Sequence, residues 1–377
     1  MVKADFEMRR FNFFIGRQGS GKSTIAKIVS YCTWLEKEVQ THPDRQGDLS
    51  KYEQMFRPQL ERFHSMHGYL REDSLIAYES DYTVICYKGG RCEISLKPKS
   101  TYERVKVLYV PAERVLAISD IIQTNDNNVK SFSVDFDSAR QHYGYQNRLG
   151  LAHLGIKYYQ TMENGEPQNR IVADGKEYDI RLDDSSSGLQ SIVPVAVAID
   201  FYSKVFYSGS VEAKTLSVAQ ERDRKTVRNH LASNGMNRAV ELRIERLLQT
   251  HRTSFVVEEP ELNLYPTTQR DLLNFIVACC NGRRKHVLTV TTHSPYIINQ
   301  LNVLLRANYT PTGRKTYPSI NPEDLAAFKV SNGGLMDLMA TDEDTNQLVV
   351  NTLDLSEAME DIYNDYASLS EEELVDE

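Results

Sequence analysis

The sequence has few features that would place the protein in a membrane or in an oxidising compartment. Its five cysteines are odd in number and lack zinc-like spacing, which predicts reduced thiols. No apolar run approaches the length that spans a bilayer, and the N-terminus MVKADFEMRR contains no signal-peptide core. We therefore expect a cytoplasmic globular protein that makes no membrane contact.

Basic residues are absent from the C-terminal end of the chain. Residues 342–377 contain 13 Asp plus Glu and no Lys or Arg, so they carry −13 against −8 for the whole chain and leave residues 1–341 at +5. We interpret 1–341 as one head and 342–377 as an acidic tail. The tail stretch LSEAMEDIYNDYASL predicts an amphipathic helix with Leu355, Met359, Ile362, Tyr366 and Leu369 on one face. Two roles stay open for this helix: packing back on the head, or docking a separate effector protein.

Hydrophobic periodicity predicts an α/β fold. Buried strands are expected at Phe11–Gly16, in VKVLYVPAER (Val105–Arg114) with the strand ending at Pro111, in SFVVEEP and in HVLTVTTHSP. Helices are expected after Ser23, over Lys51–Tyr69, over the apolar run LQSIVPVAVAIDFYSKVF that contains Pro194, and over TTQRDLLNFIVACC. Hairpins are expected to turn at Gly89-Gly90 and at Asp174-Gly175. A polar helical insertion is expected at about residues 206–252.

The stretch GRQGSGKS matches the P-loop pattern G-x-x-x-x-G-K-[ST] in full and lies between a predicted strand and a predicted helix. Glycines allow backbone N–H groups to wrap a phosphate, Lys22 reaches the β- and γ-phosphates, and Ser23 can hold Mg²⁺. The sequence therefore predicts an ATP and Mg²⁺ site. Its expected nucleotide-binding residues are Gly16, Gln18, Gly19, Ser20, Gly21, Lys22, Ser23 and Thr24.

Two further apolar strands end in residues suited to phosphate chemistry. SFVVEEPELNLYP has the form of a Walker B strand, in which Glu258 coordinates the metal and Glu259 acts as the general base toward water. HVLTVTTHSP places His293 at a strand end, where it suits a γ-phosphate contact. Glu113 and Arg114 end another strand, and they lie either near this site or in a strand-end salt bridge.

The order of these motifs resembles the ABC-type P-loop ATPases of the SMC, RecF and OLD group over about residues 8–205 and 253–300. The form E-E-P-E followed by L-Y-P is similar to OLD-like ATPase subunits of bacterial anti-phage defence systems, and VPAER (Val110–Arg114) also resembles that group. The resemblance implies an ABC-type ATPase head with a mixed central sheet, an antiparallel β subdomain and the helical insertion. It leaves the adenine contacts and the sensor glutamine unassigned.

The stretch S-S-G-x-Q (Ser186–Gln190), here called the signature stretch, resembles the signature loop of these ATPases. The resemblance implies that Ser186 and Gly188 close on the γ-phosphate bound by the P-loop of a second copy. It thus implies a homodimer with two composite ATP sites, and assembly beyond the dimer stays open. A serine N-cap on a core helix is a structural role that the same residues can fill.

The partner is less well defined by the sequence. No Toprim-like nuclease region follows the core, so we expect a nucleotide switch that controls a separate effector, a nuclease or toxin, in anti-phage defence. Seven Lys and Arg between Glu221 and Arg246 leave open a RecF-like, DNA-binding ATPase in DNA repair or maintenance. A transporter subunit and a nucleotide-gated scaffold that barely hydrolyses ATP are further alternatives.

Overall fold

A computed structural model of the protein describes residues 3–41, 49–98, 102–118, 126–173, 175, 178–208, 249–355 and 357–372. The predicted insertion at about 206–252, with its basic cluster, lies for the most part outside these residues. The strands are β1 (Phe11–Ile15), β2 (Leu75–Glu79), β3 (Thr83–Lys88), β4 (Arg91–Leu96), β5 (Arg104–Val110), β6 (Leu149–Leu151), β7 (Ile156–Glu163), β8 (Glu166–Ala173), β9 (Asp179–Arg181), β10 (Thr250–Glu258), β11 (Val287–Thr292), β12 (Leu325–Ser331), β13 (Gly334–Asp337), β14 (Met339–Thr341) and β15 (Leu348–Val350). The helices are α1 (Lys22–Thr41), α2 (Ser50–Phe63), α3 (Asn127–Arg140), α4 (Ser187–Ser203), α5 (Pro266–Cys280), α6 (Pro295–Tyr309), α7 (Pro311–Thr316) and α8 (Glu357–Glu372).

A six-stranded mixed sheet forms the centre, with strand order β13-β12-β1-β11-β10-β5. The pairs among β5, β10, β11, β1 and β12 are parallel, and β13 is antiparallel to β12. The carboxyl ends of the five parallel strands therefore meet at one edge of the sheet, the edge at which open α/β sheets bind ligands. This arrangement confirms the predicted α/β fold with a mixed central sheet.

The two faces of the central sheet are buried by different helices. Phe11 and Phe13 of β1 belong to a large core that includes side chains of α3, α4, α5 and α6. Phe14, which points to the other face, packs with Ile25 and Val29 of α1. Alternation of side chains along β1 thus lets one five-residue apolar strand contact both layers.

Antiparallel sheets complete the fold, as predicted. The strands β2, β3 and β4 form one sheet that shares a core with α1 and α2, and β6 to β9 form a second sheet. The hairpin at Gly89-Gly90 joins β3 to β4, and β8 pairs with β9 on either side of Gly175. The hairpin between β7 and β8, which turns at Asn164-Gly165, was not predicted.

One helix prediction and one membrane prediction need correction. The helix expected over Lys51–Tyr69 ends at Phe63, because Ser65 (φ 52°) and Gly68 (φ 80°) adopt left-handed backbone conformations that no α-helix accommodates. The prediction that no apolar run is long enough to span a bilayer was wrong. By length and composition, Ser187–Tyr207 is long and apolar enough to do so. In the structure 78% of that window is buried inside the protein, so its apolar character is explained by core packing around Pro194.

The acidic C-terminal segment forms the predicted helix, α8, and Ile362, Tyr366 and Leu369 of the predicted apolar face lie on it, whereas the side chain of Met359 is outside the described residues. Leu355 precedes the helix in a short 3-10 turn and packs against the main core. On α8 itself Ile362, Tyr363, Tyr366 and Leu369 are each more than 60% exposed. These four side chains are therefore mostly exposed to solvent rather than buried against the head.

Candidate nucleotide-binding site

The predicted site residues converge at the carboxyl edge of the central sheet. The P-loop connects β1 to α1, Glu258 ends β10, and His293 follows β11. Because β1, β11 and β10 are neighbours in the sheet, these residues from distant parts of the sequence come together. The convergence follows from strand order, which the motifs alone do not specify.

Lys22 lies at the first position of α1, with its side chain folded into the P-loop. Its Nζ donates to the carbonyl oxygens of Gly16 at 2.9 Å and of Arg17 at 3.0 Å. Burial lowers the pKa of Lys22, against the opposing effect of Glu259, Glu261 and Glu258. A buried cation with two neutral acceptors is well placed to exchange them for phosphate oxygens.

The rest of the loop has the form that phosphate binding requires. Gly16 packs so closely on β12 that a Cβ there would lie 2.2 Å from the Val330 carbonyl oxygen, so no other residue fits. Gln18 and Gly19 are exposed, whereas Ser20, Gly21, Ser23 and Thr24 are half-buried. The buried hydroxyl of Ser20 has no hydrogen-bond partner among the described residues. The N-terminus of α1 adds a positive dipole end to this loop.

Glu258 and Ser23 fit the expected magnesium ion. Burial raises the pKa of Glu258, and Lys27, Tyr109 and Ser23 oppose the rise. Its Oε1 is buried without a partner among the described residues, which suits an atom reserved for a ligand. A carboxylate and a hydroxyl are oxygen donors of the kind Mg²⁺ takes, with phosphate and water completing its shell. No cluster of three or more His, Cys, Asp or Glu that could hold a metal occurs in the described part of the chain.

Glu259, His293 and Lys22 form one chain of polar contacts. The His293 ring lies 3.2 Å from Glu259 Oε1 through Nε2, and its two nitrogens lie 3.4 and 3.3 Å from Lys22 Nζ. The side chains of Glu259 and His293 are each about a quarter exposed, so water can reach them. The predicted general base and the predicted γ-phosphate contact are thus adjacent to the P-loop lysine.

Glu261, the last acid of E-E-P-E, lies in the site but was not among the predicted site residues. Its Oε1 accepts a hydrogen bond from the backbone N–H of His293 at 2.6 Å. Burial raises the pKa of Glu261, and the bond from His293 opposes the rise. Glu261 therefore fixes the turn that carries His293, and its spacing of two from Glu259 was the available signal.

Arg114 is the second residue whose role the sequence left open, and of the two alternatives it lies near the site rather than in a strand-end salt bridge. It is fully buried, and its guanidinium donates to backbone carbonyls of Glu258 at 3.0 Å and Glu259 at 2.9 Å. Glu113, beside it, is exposed. The backbone of Glu259 has φ 43°, a left-handed conformation that costs on the order of 1–3 kcal/mol for a non-glycine residue. The Arg114 bonds hold this strained turn in place.

The signature stretch begins α4. Ser186 is the N-cap, and its hydroxyl accepts from the backbone N–H of Leu189 at 3.4 Å, as the capping interpretation predicts. Ser186 is exposed, and no hydrogen bond among the described residues joins it to the P-loop. Gly188 packs on the loop after Glu261: a Cβ there would lie 2.9 Å from the Asn263 carbonyl oxygen. Close approach at Gly188 thus has an explanation within one chain.

Together these residues can bind a nucleotide triphosphate, hold a divalent cation and activate a water. Lys22 and the P-loop amides supply positive charge for phosphates, and Ser23 with Glu258 supplies metal ligands. Glu259 is a carboxylate positioned by backbone bonds beside a histidine, which suits proton removal from water.

Comparison with solved structures finds similar folds in SMC head domains. The SMC head bound to the C-winged helix domain of ScpA is 12% identical over 88% of this chain and 91% of that one, with a TM-score of 0.38. The SMC head domain from Thermotoga maritima is 10% identical over 87% and 89%, with a TM-score of 0.35. No curated protein sequence matches the chain.

A family model described as "AAA domain, putative AbiEii toxin, Type IV TA system" matches residues 99–299. The match takes in the signature stretch, the Glu258-Glu259 turn and His293, and it begins after the P-loop. Because it covers more than half of the chain, the protein belongs to this AAA-domain family.

Proposed function

We propose that the protein binds and hydrolyses ATP with Mg²⁺ and that it acts as a dimeric nucleotide switch. The observation that carries the proposal is the continuous contact between Lys22, His293 and Glu259, with separations of 3.3 and 3.2 Å. This arrangement joins a phosphate-binding cation to a water-activating carboxylate at one strand edge. Acidic residues that merely end a strand at the surface would not require contacts to a histidine and to the P-loop lysine.

Each residue has a defined task in this mechanism. Lys22 leaves the carbonyls of Gly16 and Arg17 and binds the β- and γ-phosphates. Glu259 accepts a proton from the attacking water, and His293 orients the γ-phosphate beside it. The magnesium ion, when bound at Ser23 and Glu258, supplies positive charge to the phosphates.

The exposure of the signature stretch supports the proposed dimer. Ser186 lies at an exposed helix N-terminus, where a hydroxyl and the helix dipole favour an anion. No hydrogen bond among the described residues joins Ser186 to its own P-loop, so we infer that the anion is the γ-phosphate held by a second copy. Two copies related by a twofold axis then form two equivalent composite sites.

We further propose that the switch controls a separate effector, a nuclease or toxin, in anti-phage defence, and that α8 docks it. The family description, which names a toxin of a type IV TA system, supports such a setting. The exposed apolar side chains Ile362, Tyr363 and Leu369 lie on a helix whose charged residues are all acidic. Such a helix is complementary to an apolar groove with a basic rim.

Glu259→Gln tests the proposed hydrolysis. The amide keeps the shape and cannot accept the proton of water, so we expect kcat to fall by roughly 10²- to 10⁴-fold with ATP affinity retained. The variant should therefore remain as an ATP-bound dimer in analytical ultracentrifugation, whereas Lys22→Ala should stay monomeric because it loses ATP. Turnover of Glu259→Gln equal to that of the unmodified protein would exclude the assigned base.

The paired change Ile362→Glu with Leu369→Glu tests the docking helix. Added charge should abolish co-purification of an effector that carries a nuclease or toxin domain, because the apolar contact is lost, while ATPase activity of the isolated chain stays unchanged. Met162→Glu, at a similarly exposed apolar position, is the matched control and should keep the effector. Retained effector binding by the paired variant contradicts the assignment of α8. Salt-sensitive, ATP-dependent DNA binding by the isolated chain would instead favour the RecF-like function.

A further inference from the structure

Arg114 makes more connections than holding one turn requires. Its Nε and Nη2 donate to Ser191 of α4, at 3.0 Å to the carbonyl oxygen and 3.0 Å to the hydroxyl. Its Nη1 and Nη2 donate to the carbonyls of Glu258 and Glu259 at 3.0 and 2.9 Å, with longer bonds of 3.3 and 3.4 Å to Pro111 and Pro260. One guanidinium thus bridges the end of β5, the signature helix and the turn that carries Glu259.

The oxygen atoms that accept hydrogen bonds from Arg114 are neutral, so they do not select the residue by charge. Their positions on different sides of the group match the planar, forked guanidinium. All of them are carbonyl or hydroxyl oxygens, and the Arg114 side chain is completely buried. Burial lowers the pKa of Arg114 to about 10, with Glu261, Glu259 and Glu258 opposing the change, so the group stays protonated at neutral pH. A lysine has the same charge but cannot reach both sides of the bridge in fixed directions.

The bridge connects two functional points. Ser191 lies about one helical turn after the capped N-terminus at Ser186. The other side of the bridge is the backbone of Glu259 itself. Gly188 adds a second, parallel contact by packing against Asn263, four residues after Glu259. A displacement of the N-terminus of α4 therefore reaches the Glu259 turn through packed atoms.

We propose that Arg114 is a positioning residue that couples the signature helix to the general base of the same chain. The inference rests on the proposed function, in which the signature stretch contacts the ATP held by the second copy. Engagement of α4 with that ATP aligns Glu259 through Arg114, so occupation of one composite site promotes hydrolysis in the other.

Ser191→Ala is the sharpest test. It removes the buried hydroxyl that accepts from Arg114 Nη2 and changes no residue of the P-loop. We expect kcat to fall about fivefold to tenfold with KM for ATP and ATP affinity within about twofold. Ser203→Ala is the matched control on the same helix, since Ser203 is a buried serine whose hydroxyl donates to the Asp200 carbonyl and contacts the Cys279 thiol, with no bond to Arg114. Its kinetics should equal those of the unmodified protein.

Arg114→Lys is the second variant, with an expected loss of about 100-fold in kcat at unchanged ATP affinity. Because the two residues act through one contact, the double variant Arg114→Lys with Ser191→Ala should be no slower than Arg114→Lys alone. If Arg114→Lys does not fold, Ser191→Ala decides alone.

The outcomes separate this inference from the proposed function. An unmodified protein without ATPase activity contradicts both. An active protein in which Ser191→Ala matches Ser203→Ala contradicts the coupling only. A loss in Ser191→Ala that appears in KM rather than kcat also overturns it, because the residue would then serve nucleotide binding.

Discussion

Glu258, Glu259 and Glu261 lie in one short turn, and each makes a different contact. Glu258 contacts Ser23, the proposed metal ligand, Glu259 contacts the His293 ring, and Glu261 binds the His293 backbone. In the proposed mechanism only Glu258 and Glu259 act at the metal and the attacking water. Glu261 thus acts through the histidine, and its removal should affect rate more than affinity.

We predict that Glu261→Ala lowers kcat about tenfold, because the His293 backbone N–H loses its carboxylate partner and the ring loses its orientation. KM for ATP should change by less than about twofold. Glu72→Gln, at an exposed acid in the loop between α2 and β2, is the control and should have the unmodified rate. Steady-state kinetics of the three proteins provide the check, and a normal kcat for Glu261→Ala would rule out this role.

At this scale the sequence identifies residues whose chemistry is contained in a local motif. Lys22, Ser23, Glu258, Glu259 and His293 were predicted and lie together in the structure. The roles of Arg114 and Glu261 could not be predicted, because they depend on backbone atoms. Arg114 bonds to Ser191 across 77 positions of sequence and to Glu259 across 145, and no motif records where those carbonyls point.

At the scale of elements, His286 joins β10 to the end of α4. The Thr253 backbone N–H donates to its Nδ1 at 3.0 Å, so the neutral ring carries its proton on Nε2 and donates to the Ser203 carbonyl at 3.0 Å. Burial lowers the pKa of His286 from 6.5 to about 4, and Arg284 and Arg10 also disfavour its protonation. The ring is therefore neutral in the folded protein at mildly acidic pH.

We predict that this histidine makes the fold sensitive to acid. Between pH 6.5 and about 4 the unfolded chain binds a proton that the folded protein does not, so the free energy of unfolding decreases as pH falls through this window. The loss is at most roughly 3 kcal/mol. Between pH 7 and pH 4.5 the Tm of His286→Gln, measured by calorimetry, should fall by less than the Tm of the unmodified protein.

His67→Gln is the control for this measurement, because His67 is exposed and should leave the acid sensitivity intact. An identical dependence of Tm on pH for His286→Gln and the unmodified protein would contradict the role of His286.

Elements with strong apolar periodicity were predicted well, and those limited by local backbone geometry were not. The strands β1, β5, β10 and β11 and the helices α4 and α5 have apolar patterns that match their burial. The end of α2 depends on a left-handed residue, Ser65, which is not distinctive in sequence. The apolar run of α4 shows that length and composition do not separate a core helix from a membrane span. Only its packing partners decide.

At the scale of the whole molecule, the proposed ATP site has two parts. The P-loop, Glu259 and His293 lie together at the carboxyl edge of the central sheet, while Ser186 is exposed at the N-terminus of α4 and has no hydrogen bond to the P-loop among the described residues. The strand order that brings the first group together could not be derived from the sequence. In the proposed function a second copy completes each site, and the Arg114 bridge links α4 to the Glu259 turn within each chain.

The central claim is that each ATP site is composed of two chains, and mixing two inactive variants tests it. Lys22→Ala disables the P-loop. Ser186→Asp keeps an N-cap residue but places a negative charge against the γ-phosphate of the partner. Each variant alone has two defective sites. A mixed dimer contains one intact site, formed by the P-loop of the Ser186→Asp chain and the signature stretch of the Lys22→Ala chain.

The decisive measurement is the ATPase rate of the equimolar mixture, made after the two variants have been allowed to exchange subunits. If the chains pair at random, half of the dimers are mixed and each has one working site, which sets a ceiling of about a quarter of the unmodified rate. Because the second site of a mixed dimer holds no ATP and gives no stimulus through Arg114, the account predicts a rate below this ceiling and clearly above that of either variant alone. Each variant alone should be inactive. A mixture as inactive as its components, or a Ser186→Asp protein with the unmodified rate, would contradict the composite site.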